Sequence, residues 1–159
     1  MNPCDVIMNE SHALKCEMAA EVLRASGTLR LRVTGWSMLP TIWPGDTLVV
    51  ERVDSAEVAE GEIVLFSRER RLVAHRVLKS QGSEMSTRGD SMTAVDSPVR
   101  KNEFLGRVQS IVRNGRRIEP RRTLGAGERA IASIVQRSEV AARVVVGVHG
   151  LLQMSDHTV

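Results

Sequence analysis

Apolar positions along the chain fall into two periodicities, and the change between them marks out the elements. Over residues 11–26, Leu14, Met18, Val22 and Leu23 recur near the helical period, and Gly27 supplies a stop. That spacing predicts a helix over 11–26, with residues 1–10 outside it. From residue 28 the period becomes two. Leu29, Leu31 and Val33 alternate with Arg30 and Arg32, the pattern of a half-buried strand. Further strands are expected over 47–53, 63–66, 71–78, 84–88, 104–112 and 116–119. Residues 63–66 and 71–78 read as a hairpin across a charged turn. Asn114-Gly115 is the strongest hairpin signal in the chain. Residues 54–60 read as a loop or short helical turn, and 89–98 as a loop holding Asp90 and Asp96. From 128 to 153 the helical period returns. Ile131, Ile134, Val135, Ala142, Val145, Val148 and Leu152 form one stripe, which Gly147 and Gly150 weaken.

These elements predict a mostly β (β+α) fold: a curved, largely antiparallel β body with an N-terminal helix and a C-terminal helical segment. The expected division is 1–27 helical, 28–119 catalytic β domain and 120–159 helical extension. A chain of 159 residues is long enough for one domain with one core. Aromatic residues make up only 3%, so that core must be aliphatic.

The net charge is +3, and arginines cluster at Arg68, Arg70 and Arg71 and again at Arg113, Arg116, Arg117, Arg121 and Arg122. Such clusters suit nucleic acid or an anionic membrane, or simply the solvated faces of hairpins. No base-stacking aromatics interleave with them, so no nucleic-acid partner is expected. Cys4 and Cys16 lack metal-site spacing and read as reduced thiols in a cytoplasmic setting. No metal or cofactor is expected. No signal peptide is read in the first residues, and no window reaches the ~18 apolar residues of a membrane span. A soluble or membrane-peripheral, cytoplasmic protein is expected. The 128–153 stripe is expected to pack on the β body or a partner helix rather than lie on a membrane, because it carries few basic residues.

One stretch carries the candidate chemistry: Gly35-Trp36-Ser37-Met38-Leu39-Pro40-Thr41-Ile42, closed by Gly45-Asp46. Gly35 permits positive φ or close approach of another chain. Pro40 fixes its own φ and biases Leu39 toward an extended shape. A serine in so stiff a turn can be held in the open, as a nucleophile must be. Its hydroxyl needs a base within hydrogen-bond reach. Free histidine titrates near 6.5 and free lysine near 10.4, so bringing a lysine into range costs about 4 kcal/mol. His75 is the single histidine of the β body; His12, His149 and His157 lie toward the termini. A histidine base also needs an acceptor on its other nitrogen. Asp90 and Asp96 follow in the 89–98 loop, and both can also be plain turn residues.

The Ser37 stretch resembles the nucleophile box of type I signal peptidases and the related self-cleaving repressor peptidases, the S24–S26 serine peptidase superfamily. Gly61-Glu62-Ile63-Val64-Leu65-Phe66 resembles the strand that follows. Ala74-His75-Arg76-Val77 resembles the base-bearing strand, in the form that carries histidine, as archaeal and endoplasmic-reticulum enzymes do. Thr87-Arg88-Gly89-Asp90 with Asp96 resembles that form's acidic box, and Phe104-Leu105-Gly106-Arg107-Val108 the closing strand. The likeness spans roughly residues 28–118. It implies Ser37 as nucleophile, His75 as general base, and Asp96 as the residue orienting His75. Asp90 is a second candidate for that role, or a loop-holding residue. The Ser37 N–H would be one oxyanion donor. Where such enzymes often place a serine just before the box, this chain has Gly35-Trp36, leaving Thr34 as the nearest substitute. The transmembrane anchor of the secretory members has no counterpart here. Trp36 and Trp43 flank the nucleophile and are expected to line the groove or cap the core.

Three functions follow as expectations. The first is a serine endopeptidase of signal-peptidase type acting on an extended peptide or leader. The second is a self-cleaving repressor relative, disfavoured because the residues before 28 are too few for a helix-turn-helix domain. The third is a non-catalytic peptide-binding module on the same fold.

Overall fold

Alternation along the strands decides which side chains meet across the sheet. The computed structural model describes residues 3–81 and 84–137. In chain order these form α1 (Pro3–Ser26), β1 (Thr28–Arg32), β2 (Thr47–Glu51), a single 3-10 turn (Ser55–Glu57), β3 (Ile63–Arg68), β4 (Arg71–Gln81), β5 (Glu84–Arg88), β6 (Val99–Arg100), β7 (Phe104–Arg113), β8 (Arg116–Ile118) and α2 (Ala126–Arg137). The strands make one antiparallel sheet in the order β1-β2-β7-β3-β4-β5-β6, with β8 added to β7. The fold is therefore mostly antiparallel β with a helix at either end, as the patterning predicts. The stripe expected beyond residue 137 lies outside the described residues.

β3 is the sheet's central strand, and successive side chains on a strand point to opposite faces. Ile63 and Leu65 enter one apolar cluster with Leu23, Leu48, Val50, Val108 and Ile111. Val64 and Phe66 enter a second, with Val58, Val77, Met85 and Val99. A four-residue apolar run thus serves two cores at once. The same first cluster takes in Met38 and Ile42 from the Ser37 turn. Burying each contributes about 1.5–3 kcal/mol, enough to fix the turn against the sheet.

Two helix expectations need correction. α1 begins at Pro3 rather than at residue 11. Proline is tolerated at a first helical position, where its missing N–H would have no partner, and residues 4–26 contain neither glycine nor proline. The face is also different. Of the expected stripe only Leu23 is buried, beside Cys16 and Ala19, whereas Leu14, Met18 and Val22 are exposed. Cysteine and alanine are small, so the helix axis can lie close to the sheet.

Hairpin turns fall where expected. Asn114 (φ 49°) and Gly115 (φ 75°) are both left-handed, as a two-residue hairpin turn requires. The β3–β4 turn uses the same geometry with less suited residues, Glu69 (φ 50°) and Arg70 (φ 61°).

Candidate active site

Ser37 heads a turn whose apolar residues are sunk in the protein. Met38, Leu39 and Ile42 are all nearly inaccessible. The Leu39 N–H donates to the Trp36 carbonyl and the Ile42 N–H to the Met38 carbonyl. The Leu39–Pro40 peptide is cis. Asp46 closes the turn from beneath. Its carboxylate accepts the Trp43 N–H at 2.8 Å and two guanidinium bonds from Arg113 at 2.9 and 2.7 Å. Arg113 also donates to the Thr41 carbonyl and lies over the Trp43 ring. Trp43 caps the core with Leu39 and Val135 of α2, while Trp36 stays exposed. Anchored in this way, the turn leaves Ser37 half-exposed at its head.

β4 presents His75 to that hydroxyl. His75 Nε2 lies 3.0 Å from Ser37 Oγ, and Nδ1 lies 2.7 Å from Asp96 Oδ2. The ring meets Phe66 edge-on at 6.1 Å, which limits its rotation. Asp96 is held in turn by the Thr87 hydroxyl at 2.7 Å, and its N–H donates to the Thr87 carbonyl. Arg68 pins the residues just beyond, donating to the Ser97 and Pro98 carbonyls. Burial opposes charge on Asp96, but hydrogen bonds from His75 and Thr87, with the charges of His75 and Arg68, outweigh it. Its carboxyl is held below the usual range. An ionised Asp96 only accepts, so the ring proton belongs on Nδ1 and Nε2 is left to accept from Ser37.

Asp90 is not part of this line. The next residue of β4, Arg76, points to the opposite face and grips Asp90 with two bonds of 2.7 Å. Thr41 donates to the same carboxylate, and Arg76 reaches on to the Gly61 and Arg121 carbonyls. Both charged groups are buried. The two aspartates of one loop are thus fastened to adjacent β4 residues, Asp96 to His75 and Asp90 to Arg76.

Three contributors escape a reading of the sequence alone. Gly89 lies so close to the site that a Cβ there would fall 2.5 Å from the Ser37 carbonyl oxygen and 3.1 Å from His75 Nε2. Gly35, expected to supply such an approach, has neither a positive φ nor any atom within 4 Å of a Cβ. Thr87 is fully buried on the inner face of β5, and its alternation with Met85 is the signal that could have found it. His12, set aside as terminal, lines the cleft in front of Ser37 because α1 packs on β1 and β4.

That cleft measures about 790 Å³. Leu31, Val33, Met38, Leu65, Leu72 and Ala74 wall it, Thr34 and Gly35 lie at its side, and Ser37 and His75 open into it. Its two long sides are strand edges. Among the described residues β1 bonds only to β2, and β5 pairs with β4 only from Arg76 onward. Residues 71–75 therefore have a described strand on one side only. The Ser37 N–H has no hydrogen-bond acceptor among the described residues, while the Ser37 carbonyl accepts from the Ser91 N–H at 3.0 Å.

A family model described as Peptidase S24-like matches residues 5–108. The chain belongs to this family. The match takes in α1 from Asp5 and the β body as far as Val108 in β7, and every residue of the Ser37–His75–Asp96 line falls within it. Membership supports a peptidase-type hydrolase, or a relative of the self-cleaving repressors, at the level of the family. Comparison with curated proteins finds no match. Among the described residues no helix is long and apolar enough to cross a membrane, and no group of three or more His, Cys, Asp or Glu side chains is arranged to hold a metal.

Proposed function

We propose that this chain is a serine endopeptidase of signal-peptidase type, cutting an extended peptide or leader by a Ser-His-Asp mechanism. The observation that carries the reading is the unbroken line from Ser37 Oγ through His75 to Asp96, with bonds of 3.0 and 2.7 Å. A serine that merely turned the chain would need none of it.

The substrate enters as an added strand, bonding its backbone to the free edges that flank the cleft. Ser37 Oγ attacks the scissile carbonyl carbon as its proton passes to His75 Nε2. The Ser37 N–H supplies one donor to the oxyanion, and Thr34 at the cleft side is the candidate for a second. His75 then gives the proton to the leaving amine. Water, deprotonated by the same ring, hydrolyses the acyl-enzyme and restores Ser37. Asp96 fixes the tautomer and stabilises the imidazolium. Asp90 takes no part in proton transfer; it holds the 89–96 loop through Arg76.

Incubation with a proteome-derived peptide library tests the reading. Wild type should generate new N-termini at a consistent sequence, and Ser37→Ala and His75→Ala should not. No new termini, or the same termini from Ser37→Ala, would contradict it and favour a peptide-binding module.

A further inference from the structure

Three cations stand around the cleft without a side-chain partner among the described residues. Lys15 of α1, Arg32 at the end of β1 and Arg71 at the start of β4 all line it, and all three are exposed. None of the three side chains makes a hydrogen bond or ion pair with a described residue. The framework arginines behave differently: Arg68, Arg76, Arg107, Arg113 and Arg122 each meet a carboxylate. No aspartate or glutamate among the described residues lines the cleft. Among the described residues its walls are largely aliphatic and its rim is positive.

We propose that the cleft selects peptides in which apolar residues alternate with aspartate or glutamate. The inference rests on the reading of the cleft as a peptide groove. An extended chain turns successive side chains to opposite sides. Side chains facing inward meet Leu31, Leu72 and Ala74; those facing the rim pass Arg32 on one side and Arg71 on the other. Lys15 reaches the same space from the helix above. Rim charges of this kind act mainly on association and on discrimination between partners. Each exposed pair contributes only a few-fold, so three together give about tenfold.

The test uses the Ser37→Ala protein, which binds without cutting, and fluorescein-labelled decapeptides that share alternating Ala and Leu and carry Asp, Ser or Lys between them. The Asp peptide should bind about tenfold more tightly than the Ser peptide, and the Lys peptide more weakly still. The order should flatten in about 1 M salt, where the screening length is about 3 Å. Adding Arg32→Glu and Arg71→Glu, on exposed positions whose side chains have no described partner, should reverse it. Equal binding of the three peptides overturns the inference. So does equally tight binding of a single-stranded oligonucleotide of the same length, which would make the rim a general anion surface. Cleavage by wild type separates this inference from the one before it. Peptides cut without charge preference leave the protease reading standing and remove this one; acidic peptides bound selectively but never cut do the reverse.

Discussion

His75 Nε2 stands 3.0 Å from Ser37 Oγ across a sequence separation of 38 residues. The approach depends on two independent anchors. The Ser37 turn is tied down by Met38, Ile42 and the Asp46–Arg113 pair, and His75 is carried on a strand bonded to β3. Removing the base while leaving both anchors intact should separate chemistry from folding. His75→Ala is expected to lower peptide hydrolysis by about 10²- to 10⁴-fold with an unchanged circular dichroism spectrum.

The two aspartates should respond in opposite ways. Asp96→Asn loses the carboxylate that sets the ring proton on Nδ1, so turnover should fall about 10²- to 10⁴-fold with a smaller loss of stability than in the other variant. Asp90→Asn strands Arg76 in a buried place and should cost about 3 kcal/mol in urea unfolding. The activity of its folded fraction should stay within a few-fold of wild type. Equal losses of activity in the two variants would put Asp90 back into the chemistry.

Asp96 also gives stability a pH dependence of known sign. Its native carboxyl is depressed by the bonds from His75 and Thr87, which outweigh burial. The unfolded chain therefore takes up a proton first as pH falls, from about 3.9 downward. The stabilisation is fully present above that value and is lost as pH falls through the native one. The stability gap between wild type and Asp96→Asn should hold its full size above about pH 5 and should shrink toward about pH 2, read from urea midpoints.

Two glycines give a steric test. Gly89→Ala places a methyl 2.5 Å from the Ser37 carbonyl oxygen, a backbone atom that cannot swing aside. Overpacking of that sort costs about 1–3 kcal/mol, and any relaxation displaces Ser37. Gly35→Ala meets nothing within 4 Å and should leave the melting temperature unchanged. If the substrate strand passes beside it, its kcat/KM should nonetheless fall.

Ser110, on β7, is completely buried, and its hydroxyl has no partner among the described residues. An unpaired buried hydroxyl is destabilising, so Ser110→Ala should raise stability by about 1 kcal/mol. Thr87→Ala, which removes an equally buried but bonded hydroxyl, should lower it.

The strands are legible in the sequence because period-two alternation and paired turn residues are local signals. The helix face is not. Leu14, Met18 and Val22 have the same spacing logic as Cys16, Ala19 and Leu23, and only the closeness of the sheet favours the smaller set. Ser37 and His75 stand out through the stiffness of one turn and the scarcity of histidine in the β body. Spacing alone leaves Asp90 and Asp96 equal; the bond from the Asp96 N–H to the Thr87 carbonyl and the alternation of His75 and Arg76 on β4 separate them. Gly89 and His12 depend on contacts between distant segments, which no local pattern records.

Labelling with a fluorophosphonate near about pH 8, followed by peptide mass spectrometry, tests the central claim most directly, because it reads the reactivity of one hydroxyl without knowledge of the substrate. A single adduct on Ser37, absent from Ser37→Ala and strongly reduced in His75→Ala, is the expected result. An unlabelled wild type, or a His75→Ala protein labelled as fast as wild type, would contradict it.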